Sequence, residues 1–145
     1  MVRIMHESRI DLTWSFRYTD GMIEYIEIVC RWIFGLQMFF WGLNGFFHWV
    51  KIPPSDPKID AFVNACFETR FIMPTVKLME IIGGAVLLLN FAVPATLVVF
   101  APLIFVISGL HILHNPKPWG VLVTTTVPYL LLVFFHNMSL LRLVH

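Results

Sequence analysis

Four strongly apolar stretches divide the chain, and short polar segments separate them. They cover approximately residues 22–50, 74–90, 93–114 and 119–140. A helix that crosses a bilayer needs about 20 predominantly apolar residues, and each stretch is close to that length. The pattern therefore predicts an all-α membrane protein that folds as a bundle of four transmembrane helices. Residues 22–145 form this domain, and residues 1–21 precede it as an N-terminal tail.

The connection between the first two stretches is the only long one, and it carries a helical pattern of its own. Asp56 suits an N-cap, and Pro57 suits the first helical position. The apolar residues that follow share one helical face: Ile59, Phe62, Val63 and Phe67. We expect a short amphipathic helix that lies on the membrane surface. Stretches two and three are joined only by residues 90–92, which predicts a tight antiparallel hairpin.

The N-terminal tail shows a different period. Leu12, Trp14, Phe16 and Tyr18 alternate with polar residues, and a period of two predicts a strand with one aromatic face. A lone strand is not stable in water. Two interpretations remain open: the tail is an anchor at the membrane interface, or these four residues bind a partner subunit.

Composition supports lipid as the main surroundings of the chain. Hydrophobic residues make up 58% and charged residues 13%, whereas a soluble domain carries about 25% charged residues. The net charge of +1 gives no basic surface for nucleic acid. The charged tail and the long first stretch do not fit a secretory signal peptide. Lysine and arginine are slightly more numerous on the side of the two termini, which favours cytoplasmic termini.

The polar residues of the four stretches gather at one depth. An antiparallel four-span topology brings the end of the first stretch, the start of the second and the end of the third to the same side of the bilayer. Ionisable residues inside a span are costly and mark functional sites by default. The predicted polar pocket comprises Asn44, His48, Lys77, Glu80, His111, His114 and Tyr129.

Two interpretations of this pocket remain open. In the first, the residues satisfy one another as packing contacts, and the Lys77 ammonium reaches the interface. In the second, they bind a quinone head group, a small polar substrate or a proton. Haem is disfavoured, although His48 and His111 on facing helices suit axial ligation. Neither a metal site nor a set of catalytic residues is predicted, and no nucleotide-binding or hydrolase motif occurs.

Several motifs resemble those of the DoxX-like family of small four-helix bacterial membrane proteins. They are Arg31, the glycines of the first stretch, the Lys77-x-x-Glu80 pair and the glycines that follow it. The similarity covers roughly residues 26–140. It implies a multi-pass protein of the bacterial inner (cytoplasmic) membrane, with relatives that are small subunits of quinone-linked oxidoreductases. The aromatic tail is not part of this pattern.

We therefore expect a non-catalytic integral membrane accessory subunit of a larger redox or energy-transducing complex. Its partners would be other membrane-protein subunits and the lipid bilayer. The alternative is a quinone-reactive membrane oxidoreductase subunit that uses the polar pocket.

Overall fold

The computed structural model describes the backbone of residues 2–51, 55–115, 117 and 119–144, and the side chains of residues 21–51, 55–115, 117, 119–137 and 139–141. Within these residues all regular elements are helical, which confirms the all-α prediction. They are α1 (Val2–Phe47), α2 (Pro57–Glu68), α3 (Ile72–Leu88), α4 (Val93–His114), α5 (Trp119–Val121), a π-helical turn (Leu122–Thr126), α6 (Val127–Phe135) and α7 (Asn137–Val144).

Two helices are long and apolar enough to cross a membrane: Gly21–Phe47 within α1, and α4. The pair α2 and α3 qualifies as a third candidate, but a bend of 95° separates its two helices. The continuous run Trp119–Phe135 is apolar but shorter. The fourth predicted stretch therefore ends earlier than expected, because a turn at His136 separates α6 from α7.

The prediction of a strand in the N-terminal tail is wrong. α1 begins at Val2 and continues without a break into the first candidate span. Extending an existing helix adds one hydrogen bond per residue without a new nucleation step, so the adjoining span outweighs a short alternating pattern. Helical spacing puts Leu12 and Phe16 on one face and Trp14 and Tyr18 on another. The side chains of these four residues lie outside the described part.

α2 forms as the sequence predicts. The Asp56 side chain accepts a hydrogen bond from the Lys58 backbone N–H at 2.9 Å, and a proline occupies the first turn. Ile59 and Cys66, at the centre of the apolar face, are buried, and α2 packs against α3 and α4. Phe62 flanks this strip and is 45% exposed. The apolar face of α2 is therefore wider than its contact with the other helices.

The four long helical runs pack in a ring, in the order α1, α3, α4, α6 and back to α1. Arg31 of α1 contacts Leu87 near the end of α3, and Gly45 of α1 lies against Lys77 near its start. α3 is therefore antiparallel to α1. We call the end that holds Arg31 the N-terminal side and the end at which α1 finishes the distal side. The short hairpin between α3 and α4 is on the N-terminal side, as predicted.

Aromatic and aliphatic side chains fill the centre of the ring towards the N-terminal side. Phe34 of α1 contacts Phe100 of α4 edge to face, with ring centroids 5.5 Å apart, and Tyr129 of α6 at 5.7 Å. Leu87 and Leu132, from α3 and α6, are fully buried beside them. Each of the four long runs thus contributes to one core.

Glycines bring the backbones of α1 and α3 into contact. A Cβ atom on Gly42 would lie 2.8 Å from the backbone nitrogen of Ile81, and one on Gly84 would lie 2.6 Å from that of Phe39. Since backbone atoms cannot move aside as a flexible side chain can, only glycine fits these positions. Small residues at helix contacts permit this close approach in membrane bundles.

We predict that Gly42→Ala destabilises the protein, because the new methyl group collides with the backbone of α3. Overpacking of this kind costs about 1–3 kcal/mol. The matched control is Gly109→Ala, because nothing lies within 4 Å of a Cβ atom at that position of α4. The control should be neutral or more stable, since alanine favours a helix over glycine by about 0.5–1 kcal/mol. Thermal unfolding in detergent measures both, and equal stability of the two variants would contradict the close contact.

Candidate functional site

A buried ion pair on α3 is the centre of the candidate site. The Lys77 Nζ atom lies 2.7 Å from Glu80 Oε2, one helical turn away. The Glu80 side chain is only 5% exposed, and that of Lys77 is 18% exposed. Glu80 therefore faces the interior of the bundle, and most of the Lys77 side chain is covered.

Two glycines of α1 make room for this pair. A Cβ atom on Gly45 would lie 2.5 Å from the Lys77 side chain, and one on Gly42 would lie 3.0 Å from the Glu80 Cβ atom. The alkyl part of Lys77 therefore crosses α1 at a position that has no side chain. Removing two charges from water is costly, and their mutual attraction compensates only when the geometry is good. The short Nζ–Oε2 distance meets that condition.

Asn44 and His48 form a separate group at the distal end of α1. The Asn44 amide donates to the Val50 carbonyl at 3.0 Å and accepts from the Val50 N–H at 2.7 Å. His48 is exposed, has a positive φ of 54°, and its Nδ1 lies 3.1 Å from the Phe46 carbonyl. A side-chain amide carries the same donor and acceptor as a peptide group, so Asn44 closes the turn that ends α1.

The remaining predicted residues also bond elsewhere. Asn115 Nδ2 and His111 Nδ1 are 2.8 Å apart at the distal end of α4, and His114 is half-buried one turn further on. The Tyr129 hydroxyl donates to the Leu97 carbonyl at 3.0 Å and joins α6 to α4. Among the described residues, no hydrogen bond connects any of these groups to the ion pair. A ligand-binding role for the seven residues stays a prediction.

A second polar cluster, which was not predicted from the sequence, lies on the N-terminal side. Glu27 Oε1 is 3.0 Å from Arg31 Nε and 3.1 Å from His136 Nε2. Arg31 also donates from Nη1 to the Leu87 carbonyl at 3.1 Å, where α3 ends. A cation at a helix C-terminus satisfies free carbonyl groups and the helix dipole. The i, i+4 spacing of Glu27 and Arg31 was the one available signal in the sequence.

A third polar layer lies between these clusters, at the π-helical turn. Thr125 is hydrogen-bonded to Gln37 of α1, and Thr126 to Ser108 of α4 at 2.7 Å. A π-helical turn contains one residue more than an α-helical turn. Two consecutive threonines can therefore bond to two different neighbouring helices.

Hydrogen bonds satisfy the polar atoms of the interior. In the part of the chain whose side chains are described, no buried side-chain nitrogen or oxygen lacks a partner, and no three His, Cys, Asp or Glu residues form a metal-binding group. Most of these partners belong to a neighbouring helix or to the end of the same helix. The bonds of Arg31, Gln37, Ser108, Tyr129 and His136 connect different helices, and the others are local.

Comparison of the chain with protein-family models, with curated proteins and with solved structures finds no match in any of the three. The similarity to DoxX-like proteins therefore stays an expectation that depends on the sequence motifs alone.

We predict that Glu80→Ala lowers the folded yield and the thermal stability, because it leaves Lys77 unpaired. Breaking a buried ion pair costs about 3–5 kcal/mol. The double variant Lys77→Met with Glu80→Leu removes both charges and should recover most of the loss. Unfolding in detergent compares the wild type, both single variants and the double variant. If the double variant is as unstable as Glu80→Ala, the pair is not what stabilises this position.

Proposed function

We propose that this protein is a multi-pass membrane protein in which four helical runs cross the bilayer. The supporting observation is an inside-out distribution of polarity. Arg31, Glu80 and Thr125 are buried, whereas each long run carries bulky apolar residues on its outer face. Examples are Leu36 (50% exposed), Ile82 (55%), Phe105 (80%) and Phe134 (68%). Such outer faces suit lipid and do not suit water.

The ring arrangement supports a crossing by the two shorter runs as well. α3 and the run Trp119–Phe135 each contain 17 residues, or about 25 Å of helix. α1 contacts α3 at Arg31 and again at Gly45, points that are about 21 Å apart along its axis. A helix that follows α1 over this distance follows it through most of a hydrocarbon core of about 30 Å.

α2 completes this arrangement as a helix in the plane of the distal membrane surface. Its bend of 95° relative to α3 turns it away from the direction of the spans. Phe62 and Phe67 remain exposed on the apolar face, and an interfacial helix buries such residues between lipid head groups. The inner membrane of a bacterium, with both termini in the cytoplasm, is the location that the DoxX-like motifs and the basic residues favour.

Within the membrane, we infer that the protein acts as a non-catalytic subunit of a larger assembly. The observation that carries this inference is the length of α1, which has 46 residues, of which Gly21–Phe47 form the candidate span. The preceding helical segment, residues 2–20, adds about 28 Å on the N-terminal side. A helix that continues beyond the bilayer offers a partner an ordered surface. The motif similarity makes a redox or energy-transducing complex the first partner to test.

The buried Lys77–Glu80 pair favours a second candidate, a quinone-reactive oxidoreductase subunit. An ammonium donates hydrogen bonds to a quinone carbonyl, and a carboxylate next to it exchanges protons. The test compares quinone binding by the wild type and by the double variant Lys77→Met with Glu80→Leu. If the wild type binds quinone and the folded double variant does not, this candidate is supported over the first.

We predict opposite membrane sides for two loops. Single cysteines placed at Asn90 and at Lys117, in a chain in which Cys30 and Cys66 are replaced by serine, test the crossing by α4. A membrane-impermeant maleimide applied to intact cells should label only one of the two, and opening the cells should expose the other. Four antiparallel crossings require this result, because α4 connects the two loops. Labelling of both sites from the same side would contradict it.

We predict that deletion of residues 1–19 leaves a folded protein in the membrane that no longer co-purifies with its complex. The core contacts described above begin with Glu27 and lie outside the deleted segment. Native mass spectrometry after purification in mild detergent identifies the partners. The matched control replaces the segment with a Glu/Ala/Lys helix of equal length, which should also lose the partners. If the truncated chain retains every partner, this segment is an interfacial anchor and the subunit proposal loses its main support.

A further inference from the structure

One carboxylate oxygen on the N-terminal side connects three helical elements. Glu27 Oε1 contacts both Arg31 Nε and His136 Nε2, and Arg31 reaches the Leu87 carbonyl at the end of α3. The side chains of Glu27, Arg31 and His136 are 17%, 7% and 23% exposed, respectively. Partial burial limits the screening of these charges by solvent. The cluster therefore connects α1, α3 and the end of α6 by contacts that solvent weakens little.

His136 occupies the junction between α6 and α7. Its backbone N–H donates to the Leu132 carbonyl at 2.9 Å, and its own carbonyl accepts from the Leu140 N–H at 2.9 Å. The backbone of His136 thus belongs to both helices, whereas its ring is bound to α1. α7 packs against α4 and α6. The ring therefore connects the junction of α6 and α7 to α1.

We propose that the contact between His136 and Glu27 is a proton-controlled clasp that holds α7 against the bundle. A protonated ring adds a charge-assisted bond to the carboxylate and places a cation at the C-terminal end of α6. A neutral ring retains a single uncharged donor, and only in the tautomer with hydrogen on Nε2. Histidine is the side chain whose charge ordinarily changes between about pH 5 and pH 8. The clasp should be tighter at the acid end of this range.

The charged groups around the His136 ring support a tighter contact at lower pH. Of the charged side chains that α1 offers on this side, Glu27 touches the ring and Arg31 shares its carboxylate. Glu24, one turn before Glu27, is exposed, and the Cys30 thiol is buried. α3 contributes the Leu87 carbonyl through Arg31. Neither α4 nor α6 carries Lys, Arg, Asp or Glu, and the two histidines of α4 are at its distal end. On α7 the charged residue is Arg142, whose side chain lies outside the described part, so an Arg142→Gln variant belongs in the test.

Hydrogen exchange of the full-length protein in phosphatidylcholine nanodiscs measures the clasp directly. Amide exchange is recorded at about pH 5.5 and about pH 8 and corrected for the intrinsic effect of pH on each amide. We expect residues 137–144 to be about three- to tenfold more protected at the lower pH. His136→Gln retains a hydrogen-bond donor but has no titratable charge, so it should show no such difference. Glu27→Gln should also abolish the difference.

Two controls locate the effect. His114→Gln removes a histidine at the distal end of the bundle and should behave like the wild type, and Arg142→Gln should retain the pH dependence. Equal protection of residues 137–144 at the two pH values in the wild type overturns the proposal. A pH dependence that persists in His136→Gln also overturns it. If His136→Gln does not fold, the test depends on the wild type alone. Its pH-dependent change in amide protection must then be confined to residues 137–144, and an equal change in α2 overturns the proposal.

Discussion

The backbone contact between α1 and α3 is the constraint on which the other packing depends. Gly42 and Gly84 let the two helices approach until backbone meets backbone. In lipid, apolar side chains gain little by leaving the solvent, so association depends on close packing and on interhelical hydrogen bonds. Polar residues occupy both ends of the contact. Arg31 donates a hydrogen bond to the Leu87 carbonyl at the end of α3. The Lys77–Glu80 pair lies near the start of α3, where Gly45 of α1 leaves space for it.

The polar interior explains how a chain with few charged residues can specify one arrangement of helices. Each hydrogen bond between helices excludes rotations that would leave a buried donor or acceptor without a partner, which costs about 1–3 kcal/mol. The π-helical turn increases this specificity, because Thr125 and Thr126 bond to two different helices from adjacent positions. The Tyr129 hydroxyl adds a third hydrogen bond between helices, to the Leu97 carbonyl. The apolar outer faces, by contrast, impose no particular neighbour.

The two ends of the bundle differ in character. The distal end carries the ion pair, the helix α2 with its 95° bend from α3, and the closed turn at Asn44. The N-terminal end carries the helical segment of residues 2–20, the Glu27 cluster and α7. A partner that binds the N-terminal segment would therefore lie near the cluster that controls α7 in our proposal. This proximity connects the proposed assembly role with the proposed response to pH through one region of the molecule.

The sequence by itself determined what depends on neighbours along the chain. The lengths of the apolar stretches predicted the helical class, and Asp56 with Pro57 fixed the start of α2, because capping involves residues within one turn. The i, i+3 spacing of Lys77 and Glu80 predicted their pairing. The alternating tail was misread, because a local period of two says nothing about the helix that continues into it from the adjoining span.

Only the tertiary structure decided which polar residues meet. Asn44 shares a predicted depth with Glu80, yet it bonds to Val50, six residues away. Glu27 and His136 are separated by 109 residues and are 3.1 Å apart. Periodicity gives the height and direction of a side chain on its own helix. The distance between helices and their rotation about their axes decide its partner, and these were set by glycine contacts that apolar patterning does not reveal.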